Sequence, residues 1–456
     1  MPGEDRRALR ELLGLALPAA LQEAVNISYW FIDSLFLSRL GEEAFSAPVL
    51  SWPIIYVFYL GGVGLLLGGT ALVSQSFGFG DAARTRRSAG AVLLASLLAS
   101  IPLTLVPLAA RGLLVEAMGV PVEMREEVEV YFGLTLLGIP LGLGTQAYAI
   151  ISNALGDTRT PLLIELASTI FNLALDPLLI FGLLGAPAMG VAGAAIATVA
   201  ARGLALSLGL RVLFASGVRG LRISPRDLAP DSRSLILLAR VGLPLAATRV
   251  LNALAGFVFV SLVARAGPAA VAAYGSTDRI MQLVMIGSTG LQRASAAMIG
   301  QRIGAGDGTG ARRLAAISSR VMATYMAAWS AILLASSREL TSFFLSSGES
   351  LAEGARLLSL VALTLPLLGL HLVMEAVARG SGRTVYYMLT VVVRLWAVRI
   401  GLGLALLESM GPLGLWLAAS LSNAVAGALA VPWITSGLWA ARIIESNERE
   451  KNFSPR

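Results

Sequence analysis

"SQSFGFGDAARTRR", residues 74–87, returns as "GQRIGAGDGTGARR" at residues 300–313. The offset of 226 residues pairs Gln75 with Gln301 and Asp81 with Asp307. The same offset pairs Pro18 with Pro244, Pro140 with Pro366, and Gly156 of "LGDTRTP" with Gly382 of "SGRTVYY". Gly190 of "MGVAGAA" and Gly414 of "LGLWLAA" drift from it by only two residues. Landmarks held at one spacing mark an internal duplication. In each copy the motif closes one apolar stretch and turns on glycine, which supplies a positive φ at low cost. No lysine follows the glycines and no strand precedes them, so neither copy is a phosphate-binding loop.

The flanks of the repeat fix the class. The 456-residue chain is 56% hydrophobic and 14% charged, with a mean hydropathy of +0.75. Soluble domains carry about 25% charged residues. Apolar stretches long enough to cross a hydrocarbon core of about 30 Å recur throughout. They place helices at 12–37, 46–77, 88–113, 128–152, 161–184, 188–215, 236–264, 271–300, 314–337, 354–378, 386–407 and 412–441. The fold class is an all-α polytopic membrane protein of twelve transmembrane helices. Six helices per copy is an even number, so the two lobes share one orientation and relate by a pseudo-two-fold axis along the membrane normal. The lobes are expected at 1–214 and 236–442, joined by a loose linker loop at 215–235 and followed by a tail at 443–456.

Charge orients the chain. One set of connections holds 21 basic residues, including Arg84, Arg86, Arg87, Arg302, Arg312 and Arg313. The other set holds five, namely Arg39, Arg111, Arg125, Arg265 and Arg338, alongside several glutamates. The positive-inside rule then puts both termini in the cytoplasm of a multi-pass protein of the plasma membrane. The net charge of +7 is thus spent on orientation, and nucleic acid is not a partner. With no cysteine and one histidine, disulfides, thiolate metal sites and a cysteine nucleophile are excluded. The opening apolar stretch is too long for a signal-peptide core and reads as a retained first membrane helix.

Carboxylates at membrane depth are costly and mark function. In helix 5, Glu165, Ser168, Asn172 and Asp176 share one face at i, i+3, i+7 and i+11, the helical period. In helix 1, Gln22, Asn26, Tyr29 and Asp33 make a second polar stripe. By helical rise, Asp176, Asp33 and Thr198 of helix 6 lie roughly 12, 6 and 15 Å below the outer face. Pro177 removes a backbone donor directly after Asp176 and frees the Leu173 carbonyl. The second half offers Asp278 beside Arg279, with Gln282 and Gln292, and the pair His371–Glu375 four residues apart on helix 10. Asp278 and Arg279 read as an ion pair or a transport site. His371 and Glu375 read as a helix–helix hydrogen bond or a proton relay. Arg249, Arg394 and Arg399 read as counter-ions or snorkelling side chains.

The stretches "VSQSFGFGDAARTRR", "SNALGDTRTPLLI", "NLALDPLLIFG", "MGVAGAAIAT", "IGQRIGAGD" and "RGSGRT" resemble the multidrug and toxic compound extrusion (MATE) transporters over about residues 10–442. "FIDSLFLSRLG" and "LALDPLLIFG" resemble the DinF-like prokaryotic and archaeal branch. The resemblance implies export of cationic, amphipathic drugs in exchange for H⁺ or Na⁺. It also implies an N-lobe cation site at Asp33, Asn172, Asp176 and Thr198, where Na⁺ is the metal if one binds. Gln22, Asn26, Tyr29, Glu165, Asp278, Gln282, His371 and Glu375 are then candidate cavity residues. Helix 7 carries Arg249 where other branches place an acid, and Arg383 replaces the aspartate in the second "LGDTRTP"-like motif. The chain is expected to work as a monomer in the lipid bilayer, with no cofactor beyond the coupling ion. An enzyme would need an Asp-rich or clustered His/Asp motif that is lacking. The nearest rival is a lipid-linked precursor flippase of the same superfamily, which the acidic helix-5 stripe disfavours.

Overall fold

The computed structural model describes residues 2–121, 124–346 and 348–444. Among these the chain forms twelve long helical segments and no β-strand. They are α1 (Pro2–Ser38), α2 (Ser46–Gly78), α3 (Ala82–Ala109), α4 (Arg125–Ala154), α5 (Arg159–Phe181), α6 (Gly190–Ser216) and α7 (Ser232–Arg265). The series continues with α8 (Pro268–Gly304), α9 (Gly308–Ala335), α10 (Gly348–Ser381), α11 (Thr384–Met410) and α12 (Pro412–Ser436). Ten of them, α2–α7 and α9–α12, are long and apolar enough to cross a membrane. The other two are of similar length but more polar: α1 carries Gln22, Glu23 and Asn26, and α8 carries Asp278, Arg279 and Gln282.

The repeated motif folds alike in both copies. Gly80 and Gly306 turn with φ of 82° and 79°, a left-handed conformation that a side chain would strain. Asp81 then caps α3 by accepting from Arg84 N at 2.9 Å, and Asp307 caps α9 by accepting from Gly310 N at 2.8 Å. These caps start α3 six residues before the expected 88, and it ends at Ala109, short of 113. At the far end, α12 stops at Ser436 because Gly437 turns left-handed at φ 64°.

Contacts divide the chain into two compact units, residues 21–250 and residues 1–20 with 251–456. This division differs from a cut at 214/236, and glycines explain the difference. A methyl group on Gly64 of α2 would sit 2.5 Å from Ala246 Cα of α7, so the start of α7 packs against the first unit backbone to backbone. At the repeat-equivalent Gly290 of α8, a methyl would collide with the Ala16 carbonyl and lie 2.7 Å from Ala20 Cβ of α1. Close approach of this kind needs small residues. Residues 1–20 of α1 thus group with the second copy of the duplication, and residues 232–250 of α7 with the first.

The 215–235 connection is folded rather than loose. Val218, Leu221 and Ile223 are buried, and Ile223 N donates to Leu213 O at 3.0 Å. A short 3₁₀ turn, Pro225–Leu228, carries Asp227, which meets Arg86 of α3 at 3.8 Å. The Asp227 carbonyl packs on Gly90, where any side chain would clash.

Candidate functional site

The polar stripe of α5 is the buried face of that helix. Glu165, Ser168, Asn172 and Asp176 retain 8%, 4%, 2% and 0% exposure, while Leu163, Ile170, Phe171 and Leu173 face outward. Apolar side chains face the lipid, so a stripe of polar groups at 3.6-residue spacing turns toward the protein. There α6 receives it. Ser168 Oγ donates to Ala201 O at 2.8 Å, and Arg202 Nη1 donates to Glu165 Oε1 at 3.3 Å. Four residues on, Asn172 Nδ2 donates to Asp176 Oδ1 at 3.2 Å. The helix runs on through Pro177 to Phe181 and ends at Gly182 in the left-handed region.

Helix α1 supplies the second stripe, with Gln22 and Tyr29 buried. Asp33 lies on α1, but its side chain falls outside the described residues. Tyr29 and Thr198 share a hydrogen bond of 2.7 Å between their hydroxyls, so the threonine bonds a tyrosine and not Asp176. Of the four residues expected to hold a cation, the structure joins Asn172 with Asp176 and sets Thr198 against Tyr29. Among the described residues no three of His, Cys, Asp and Glu cluster as metal ligands do.

Beside these groups lies a cavity of ≈ 80 Å³ lined by Asn26, Tyr29, Trp52, Tyr56, Tyr59, Thr198 and Arg202. Asn26 Oδ1 and Thr135 Oγ1 on its wall are buried without a hydrogen-bond partner. Drug-sized pockets occupy about 300–1,000 Å³, so a large solute enters only if the aromatic side chains move. Arg202 also stacks 5.7 Å over the Tyr29 ring. Sequence reading missed Arg202 and the aromatic wall. The available signal was an arginine in the middle of an apolar helix, four residues after Thr198.

In the second unit, Asp278 of α8 is exposed and accepts from Gln282 Nε2 at 2.9 Å. It does not pair with Arg279, because neighbours in sequence point in different directions on a helix. His371 and Glu375 do not bond one another; the helix–helix hydrogen bond forms through Glu375 alone. Glu375 instead accepts from Tyr387 Oη at 2.9 Å and faces Arg379 at 4.0 Å, while His371 lies against the Tyr387 ring at 5.2 Å. Tyr387 of α11 intervenes and takes the carboxylate.

The MatE family model matches residues 18–178 and 244–404, two segments at the 226-residue offset of the internal repeat. Among curated relatives, a probable multidrug resistance protein NorM of Bradyrhizobium diazoefficiens is 27% identical over 92% of this chain and 92% of its own. A FAD transporter of Shewanella oneidensis is 28% identical over 69% of this chain and 70% of its own. Among solved structures, the Vibrio cholerae MATE transporter VcmN superposes with a TM-score of 0.88 at 24% identity, covering 95% of this chain and 98% of the other. With both halves of the duplication matched, the chain belongs to the MatE family of membrane transporters rather than to any class of enzyme.

Proposed function

We propose that the chain is a secondary active exporter of cationic, amphipathic organic compounds, driven by H⁺ or Na⁺ re-entry through an N-lobe cation site. Asp176 is the observation that carries this reading. It is fully buried on α5 beside a neutral amide donor, while the other acid of that face, Glu165, is paired with Arg202. A buried carboxylate of that kind is stabilised by a bound proton or Na⁺. Asp33, Asn172 and Thr198 complete the proposed set.

The neighbouring aromatic wall fits the substrate class. Faces of Trp52, Tyr56, Tyr59 and Tyr29 attract organic cations through their negative quadrupoles. The Glu165 carboxylate offsets the Arg202 charge in the same cavity. The printed functions of relatives, multidrug resistance in several bacteria, favour the same class. When the site faces outward, a cation neutralises the acids and the cavity rearranges to release the drug. When it faces inward, loss of the cation restores negative charge and favours uptake of a new substrate. The two six-helix lobes rock between these states in the plasma membrane, with both termini cytoplasmic and the monomer as the working unit.

Reconstituted protein in liposomes loaded with ethidium tests the reading, with H⁺ and Na⁺ gradients imposed separately. Gradient-dependent ethidium movement under one of them is expected. Ethidium flux that ignores both gradients would overturn it.

A further inference from the structure

The α11 helix holds two arginines where a membrane helix rarely keeps any. Arg394 lies ten residues after Thr384 and Arg399 eleven before Met410, so each is at least about 15 Å from either end. That depth is too great for snorkelling to a headgroup. Between Val393 and Leu402 the backbone winds as a π-helix, a rare form that concentrates at functional sites. In an α-helix, side chains five apart diverge by about 140°. With i→i+5 bonding they stand one turn above the other. Both guanidinium groups therefore reach the same acceptor: Arg394 Nη1 lies 3.4 Å and Arg399 Nη2 3.2 Å from Asn423 Oδ1 of α12.

No carboxylate pairs with either one among the described residues. Arg399 adds only Ser422 Oγ at 3.1 Å and the face of Phe259 at 5.7 Å. The nearby acid, Glu375, is engaged by Tyr387 and Arg379, and Asp278 is bonded to Gln282. Arg394 Nε is buried without an acceptor, as are both ring nitrogens of His371, which is 2% exposed and within electrostatic reach of Arg394. Unpaired buried charge and orphaned donors are costly. Arg394 Nε and the N–H of the neutral His371 ring each seek an acceptor.

The geometry points to a binding site for an organic carboxylate, formed by Arg394, Arg399 and Asn423 with His371 behind them. A planar carboxylate matches the guanidinium fork in two-point contact. A doubly charged phosphate would lose more hydration at this depth. Lipid headgroups are too shallow to supply the anion, so the ligand is a solute. The site stands independently of cation-coupled export, since binding needs no gradient.

Titration calorimetry on the purified full chain, with naphthoate and the uncharged naphthalenemethanol as probes, tests this. Naphthoate is expected to bind, and to weaken by about tenfold in Arg394→Gln and in Arg399→Gln, while naphthalenemethanol shows no such dependence. Asn423→Asp places a carboxylate of the chain itself between the guanidiniums. It is expected to raise the melting temperature and abolish naphthoate binding, which keeps the test sound even if an arginine variant misfolds. No naphthoate binding to the wild type, equal binding in all variants, or wild-type affinity in Asn423→Asp would overturn the assignment.

Discussion

At the scale of single residues, the site is built from polar groups that meet across neighbouring helices. Glu165 and Arg202 join α5 to α6 at 3.3 Å with both side chains largely buried. Removing one partner of a buried pair leaves the other charge uncompensated, at a cost of about 3 kcal/mol. Glu165→Gln and Arg202→Gln should each lower the unfolding free energy by about that amount, measured by denaturation in detergent. The double variant should be less destabilised than the sum of the two; additivity would show that the pair contributes nothing. Asp176 was legible in the sequence because a charge interrupts an apolar run on a polar stripe. Arg202 was not, because its meaning depends on a partner 37 residues away that no local pattern specifies.

At the scale of elements, ten of the twelve helices follow from hydropathy, and the duplication correctly pairs the turns that open α3 and α9. The caps are electrostatically defined. The Asp307 carboxyl is held below its usual value of 3.8, first by Arg302 and then by the Gly310 N–H. The Asp81 carboxyl is lowered chiefly by the Arg84 N–H. With folded values depressed, the stabilisation is complete above pH 3.8 and is lost as pH falls through the folded values. Melting temperature should therefore drop on acidification below about pH 4, less so in the Asp81→Asn, Asp307→Asn double variant. An unchanged acid limb would argue against the caps. Gly64 and Gly290 make a second test. Gly64→Ala should cost about 1–3 kcal/mol by forcing α2 away from Ala246, with Gly290→Ala similar for α1 and α8; thermal unfolding of each variant reads the cost.

At the scale of the molecule, the repeat correctly announced two related halves but could not reveal that residues 1–20 of α1 and 232–250 of α7 group with the opposite half. Sequence similarity reports ancestry, whereas the units 21–250 and 1–20 with 251–456 are set by which backbones glycine lets approach. The C-half polar network was illegible for a related reason. Arg394 and Arg399 meet one acceptor only because α11 winds as a π-helix there, and ordinary helical spacing sets them apart.

Asp176, which is fully buried, and Asp33 are proposed to couple a cation to export. The direct measurement is cation-stimulated ethidium transport in proteoliposomes by the wild type, Asp176→Asn and Asp33→Asn, each verified as folded. Gradient-driven transport should fall by at least about tenfold in both variants, while substrate binding in Asp176→Asn persists. Gradient-driven transport at the wild-type rate in both variants would contradict the account.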